Sequence, residues 1–159
     1  MSAQLEAEAS PGAVELQRVA ALLGGDRVLR HRLRGPHDAH EMILQGLPGK
    51  AVTHLVANVG LRMDAAMEKA LGMSLRTYQR HKEAPVKLLS PEQSGRAWKF
   101  AEIFAQAMAV FGSDDAARRW LDRPALGLDG RRPIDLLATP AGIQLVESLL
   151  TRLEYGVYT

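Results

Sequence analysis

The chain has 159 residues, 47% of them hydrophobic and 24% charged, with no cysteine and a formal net charge of +2. A chain of this length can bury roughly 70% of its unfolded-state surface, so one domain or two small ones can fold without a disulfide or metal staple. The absence of cysteine excludes disulfide scaffolds, thiolate zinc sites, iron–sulfur clusters and cysteine nucleophiles. The acidic start Met1-Ser-Ala-Gln-Leu-Glu-Ala-Glu is unlike a secretory signal, and no run approaches the ~18 apolar residues of a membrane span, so cytoplasmic residence is expected.

Apolar residues recur at helical rather than alternating spacing almost throughout, and 5% aromatic content is low for a sheet protein, so the expected class is all-α. A first helix is expected over Val14–Leu23, stopped by Gly24-Gly25, with a short one near Asp38–Gln45 between Gly35-Pro36 and Pro48-Gly49. Three compact helices are expected next, over Lys50–Asn58, Met63–Leu71 and Ser74–Lys82. Ser90-Pro91-Glu92-Gln93 has the form of a capping box with proline in the first turn, opening a long central helix. Its apolar residues, Ala97, Phe100, Ala101, Phe104, Met108 and Phe111, are widened by Ile103, Ala107 and Val110, as burial on more than one side requires. Ser113-Asp114-Asp115 opens a helix to Leu121, a Pro/Gly-rich connection leads to a turn at Ile134–Leu137, and Thr139-Pro140 starts a last helix with the stripe Ile143, Val146, Leu149, Leu150, Leu153. The expected organisation is a frayed N-terminus over 1–12, a helical domain over 13–84, and a C-terminal helical domain over 85–159 that ends in a tail at 155–159.

The stretch from Met63 to Lys82 reads helix, Gly72 turn, helix, the layout of a helix-turn-helix. Met67 and Leu71 would pack the first helix, while Met73 and Tyr78 would anchor the second. Arg76, Thr77, Gln79, Arg80 and Lys82 offer donors to base edges and phosphates, and Ser74 stands at the N-cap, where free backbone N–H groups could also meet a phosphate. Between Met73 and Lys87, Arg76, Arg80, Lys82 and Lys87 oppose the single acid Glu83. An ordinary solvated helix pair would show the same basic face, and Glu68 occupies a position where such motifs often carry a small alanine.

Further motifs lie towards the C-terminus: Val110-Phe-Gly-Ser-Asp-Asp-Ala-Ala-Arg-Arg-Trp-Leu121, Gly130-Arg-Arg-Pro-Ile-Asp-Leu-Leu-Ala-Thr139, Gly142, Val146, and the ending Leu153-Glu-Tyr-Gly-Val-Tyr158. Together with Gly72-Met-Ser-Leu-Arg-Thr-Tyr-Gln-Arg80, this ordered series resembles the Xre/MbcA/ParS family of bacterial antitoxins from about Gly46 onward. The resemblance implies an N-terminal helix-turn-helix that binds operator DNA and a C-terminal domain that binds a RES-domain toxin, an enzyme that consumes NAD or uses it for ADP-ribosylation. Carried over, Arg76, Thr77, Gln79 and Arg80 would face DNA, and Glu154, Tyr155, Gly156, Val157, Tyr158 and Thr159 would lie at the toxin's NAD pocket. A homodimer within a toxin–antitoxin complex is expected, with no cofactor and no catalysis of its own.

The residues alone leave the tail open. An aromatic pair around glycine, followed by a terminal carboxylate, could anchor in a nucleotide cleft, or Tyr155 could pack back on the last helix while Tyr158-Thr159 frays. Gly130-Arg131-Arg132-Pro133 reads as a solvated connector, with Arg131 and Arg132 able to meet an acidic partner surface. His31, His37 and His40 straddle Gly35-Pro36 and read as surface residues rather than metal ligands, and Trp98 and Trp120 as packing. Two rivals belong to other classes: a stand-alone transcription regulator whose C-terminal domain only dimerises, and a small enzyme, for which no catalytic constellation or phosphate-binding loop is present in the sequence.

Overall fold

The computed structural model describes residues 11–156, which form ten α-helices and one 3-10 turn. They are α1 (Pro11–Leu22), α2 (Asp26–Leu29), α3 (Pro36–Gln45), α4 (Gly49–Val59), α5 (Ala65–Leu71), α6 (Leu75–Glu83), α7 (Pro91–Phe111), α8 (Asp114–Leu121), the 3-10 turn Leu126–Leu128, α9 (Pro133–Leu136) and α10 (Pro140–Glu154). The all-α expectation holds. Fraying was expected to reach residue 12, yet Pro11 and Gly12 already belong to α1. Proline suits a first helical turn, where its missing N–H would have had no partner. The remainder of that expectation, residues 1–10, lies outside the described residues.

Side-chain caps start the helices where the sequence signals them. Asp64, Ser74, Ser90, Ser113 and Thr139 each accept from a backbone N–H of the first turn they open. At α7 the box is complete: Ser90 Oγ accepts from the Gln93 N–H and Gln93 Oε1 from the Ser90 N–H, both at 3.1 Å.

Helix α7 is the axis of the molecule. It buries Ala97, Trp98, Phe100, Ala101, Ile103, Phe104, Ala105 and Ala107, a set that wraps around the helix, because α1, α3, α4 and α5 pack on it from one part of the chain and α8 and α10 from the other. The two halves on either side of Ala84-Pro85 therefore share one helix and one continuous set of core residues. Phe111, at the end of α7, meets Trp120 of α8 with ring centroids 5.2 Å apart.

Four hydrogen bonds tie loops and helix ends to this frame. The Leu47 N–H donates to the fully buried Ser94 Oγ of α7 at 2.8 Å. Asn58 Nδ2 donates to the Leu22 carbonyl at the end of α1, at 3.0 Å. The α3–α4 loop pairs with the α6–α7 loop, the Leu89 N–H donating to Leu47 O at 2.7 Å and the Gly49 N–H to Lys87 O at 2.8 Å. At the start of α10, a Cβ on Gly142 would lie 1.9 Å from the Leu136 carbonyl oxygen, so only glycine allows α10 to approach α9 this closely.

The one-turn helix α2 was not anticipated. Its register is set by tertiary burial of Val28 and Leu29 rather than by any local period.

Candidate nucleic-acid and partner interfaces

Helices α5 and α6 meet across Gly72, whose φ of 63° is the left-handed conformation that the tight turn demands. Met67, Leu71, Met73 and Tyr78 are buried at this junction. On α6 the buried face carries Tyr78 and His81, and Arg76, Gln79 and Arg80, three and four residues apart, lie exposed on another. Thr77 is half-buried and Lys82 exposed, its Nζ 5.6 Å from the centre of the Tyr78 ring. Burial raises the Tyr78 pKa above its usual value, so the phenol stays neutral.

One expectation at this site needs correction. Two of the backbone N–H groups at the start of α6 are taken up within the chain rather than open to a phosphate: Ser74 Oγ accepts from the Thr77 N–H at 3.1 Å, and Glu68 Oε1 accepts from the Leu75 N–H at 2.7 Å. Glu68, read from sequence as a departure from a small residue, instead reaches seven residues along the chain to cap the second helix, with its charge at the positive end of the helix dipole. Local pattern rules carried no signal for that contact. Ser74 is engaged as a cap and also donates to Thr77 Oγ1 at 3.1 Å.

His81 is only 6% exposed and packs against the start of α4 beside Gly49, with its Nδ1 buried and without a hydrogen-bond partner. Burial first, and the Lys87 charge second, hold its pKa below the ordinary 6.5.

Arg96 of α7 joins the helix-turn-helix to the C-terminal part. Its guanidinium donates to the carbonyls of Lys69 and Ala70 at the end of α5, the latter at 3.2 Å, and reaches those of Leu137 and Ala138 after α9 at 3.5 Å.

At the far end, Tyr155 caps α10 and is 76% exposed, so it does not pack back on the last helix. Glu154 accepts from Gln106 Nε2 of α7 at 3.1 Å, and Gly156 is exposed with φ 66°. Val157, Tyr158 and Thr159 lie outside the described residues. Arg132 is already engaged within the chain, with Asp122 at 2.8 Å and Asp135 at 2.9 Å. Hydrogen bonding to Asp135 first, and the charges of Asp135 and Asp122 after it, raise its pKa further. Arg131 is exposed and makes no ion pair among the described residues. Two apolar residues were missed: Leu126, 98% exposed in the 3-10 turn that packs on α10, and Leu145, 56% exposed on α10. Leu145 carried a signal, since it stands off the stripe that faces the core; Leu126 carried none in its Pro/Gly-rich connector.

His31, His37 and His40 are exposed, and no group of three or more metal-binding side chains occurs among the described residues. Nor, among them, is any helix long and apolar enough to cross a membrane. Trp98 is buried in the core.

Residues 38–102 match the antitoxin Xre-like helix-turn-helix domain family, and residues 106–156 match the antitoxin Xre/MbcA/ParS C-terminal toxin-binding domain family. Neither is a family of enzymes, and the chain is not an enzyme. Among curated proteins, an antitoxin Xre of Pseudomonas putida is 37% identical over 68 residues, covering 43% of this chain and 43% of that protein. One of Yersinia enterocolitica is 38% identical over 71 residues, covering 44% and 48%. The match thus spans less than half the length of these two relatives. One of Photorhabdus laumondii is 28% identical over 124 residues, covering 77% of this chain and 82% of that protein.

Proposed function

Because the chain is an Xre/MbcA/ParS-family antitoxin-like protein, we propose that it neutralises a RES-domain toxin and binds its own operator DNA in the cytoplasm. The toxin would be one that consumes NAD or uses it for ADP-ribosylation. The segment Glu154 to Thr159 enters the toxin's NAD pocket, Arg131 meets acidic toxin surface, and Leu126 and Leu145 add apolar contact. The observation that carries this reading is the exposure of Tyr155: a large aromatic side chain held out at the end of a helix anchored in the core offers a rigid anchor at small entropic cost. Arg132, whose charge is already balanced by Asp122 and Asp135, contributes less to the toxin contact than Arg131.

Operator binding falls to the exposed face of α6, with Arg76, Gln79 and Arg80 at the groove and Thr77 and Lys82 at its edges. A homodimer would place two such helices on paired half-sites.

Co-expression with the toxin tests neutralisation. Removing Tyr155 to Thr159 should restore NAD loss while the shortened chain keeps its helical spectrum and melting temperature; a shortened chain that still protects NAD refutes the occluding tail. If, in addition, no toxin co-purifies with the full chain and operator repression persists, the protein is a stand-alone regulator.

A further inference from the structure

Residues 26–34, Asp-Arg-Val-Leu-Arg-His-Arg-Leu-Arg, carry four arginines against one acid and lie outside the matched helix-turn-helix region at 38–102. Val28, Leu29 and Leu33 are buried, and Gln17 Nε2 reaches the Leu33 carbonyl at 3.5 Å, so the segment is pinned to the body of the protein. Arg27, Arg30, Arg32 and Arg34 are all exposed. Every ion pair among the described residues lies between residues 99 and 147, so none of these four guanidinium groups has a carboxylate partner there. A pinned segment that displays four guanidinium groups with no carboxylate partner among the described residues is organised to meet an external anion.

The position of the segment says which anion. Arg27, Arg30 and His31 form one wall of a cleft whose other wall holds Lys50, Pro85 and Val86. That second wall is the chain leaving α6: the Lys50 N–H donates to Pro85 O at 2.9 Å and the Gly49 N–H to Lys87 O at 2.8 Å. Lys50, Lys82 and Lys87 are exposed there too. Basic side chains therefore continue past the C-terminal end of α6, through Lys82, Lys87 and Lys50, to Arg27 and Arg30, where the arginine segment begins. Guanidinium groups bind phosphate oxygens through paired N–H donors, and an array of them flanking a recognition helix matches a run of backbone phosphates better than an isolated carboxylate.

We propose that Arg27, Arg30, Arg32 and Arg34 form a second DNA contact, holding backbone phosphates beside the stretch that α6 faces. This rests on the operator-binding reading above. The contact adds affinity without adding sequence preference, because phosphates are the same at every step.

The test uses the full chain, a fluorescent duplex from the region upstream of its own reading frame, and a scrambled duplex of equal length, titrated across a salt series. The variant Arg27→Gln/Arg32→Gln/Arg34→Gln leaves Arg30 in place, since that residue closes α2 in a left-handed conformation. It should bind both duplexes about 10- to 100-fold more weakly, with the slope of log affinity against log salt reduced by about 2 to 3. The Arg32→Gln/Arg34→Gln pair, replacing two side chains on either side of buried Leu33, should lose about 1 to 2 in slope and serves if the triple variant folds poorly. Arg76→Ala/Arg80→Ala should instead narrow the preference for the upstream duplex. If the arginine variants bind DNA as the parent does while Arg76→Ala/Arg80→Ala is impaired, the second contact is refuted and the α6 reading stands. If the parent binds neither duplex, both fall. If the arginine variants lose only toxin neutralisation, the segment docks a protein and the inference is overturned.

Discussion

Replacing Arg96 by methionine isolates the work of its guanidinium group, because methionine keeps an unbranched stem against Gly72. The substitution deletes the donor to the carbonyls of Lys69 and Ala70. A hydrogen bond from a charged donor contributes about 1.5–3 kcal/mol, and these two share one nitrogen, so together they count for about one and a half such bonds. The contacts to Leu137 and Ala138, both at 3.5 Å, are at the limit of hydrogen-bond length and add little. The buried Arg96 Nε has no partner, and removing it returns about 1 kcal/mol. The net loss is about 2 kcal/mol. With a urea dependence of about 2 kcal/mol per molar for a chain of this size, the unfolding midpoint should fall by about 1 M at unchanged slope, followed by circular dichroism. The melting temperature should fall by about 4–8 °C. A midpoint shift below about 0.3 M would refute the reasoning, since it would mean that solvent caps α5 as well as Arg96 does.

Three further substitutions probe other joints. Gly142→Ala should cost about 3 kcal/mol or more, because the new methyl group meets backbone rather than a movable side chain, and a melting temperature within about 3 °C of the parent would overturn that account. Glu68→Ala should destabilise by about 0.5–2 kcal/mol through loss of the Leu75 cap while strengthening binding to duplexes of any sequence, since it removes a negative charge next to α6; equal affinity and stability would contradict both effects. For His81, the folded-state pKa lies below the unfolded value, so its contribution is fully present above pH 6.5 and is lost as pH falls through that value towards the folded pKa. Thermal melts between about pH 7.5 and 5.5 should fall more steeply for the parent than for His81→Gln, and parallel curves would count against a buried neutral imidazole.

Signals of short range were legible. Ser90, Gln93, Ser113 and Thr139 announce their helices because a cap is satisfied within three residues. The residues of α6 that face solvent could be separated from Tyr78 by helical period alone. What escaped was set by partners far along the chain. Nothing around Arg96 in the sequence singles it out, because its acceptors lie 26 and 41 residues away. Segment 26–34 lies between Gly24-Gly25 and Gly35-Pro36, too short to show a period, and only burial on the rest of the chain fixes Val28 and Leu29 inward and the arginines outward. Glu68 was misjudged for a related reason, because its value depends on where the next helix begins.

The sharing of α7 bears on how the protein is lost. A protease that engages the exposed end near Tyr155 and pulls α10 away strips Val146 and Leu150 from the helix on which α1, α3, α4 and α5 also depend. Elements that bury surface on a common partner open together rather than one by one. On the proposed function, destruction begun at the end of α10 would then leave no residual fragment able to hold the operator: toxin release and loss of the operator complex would follow from one event and run on one clock.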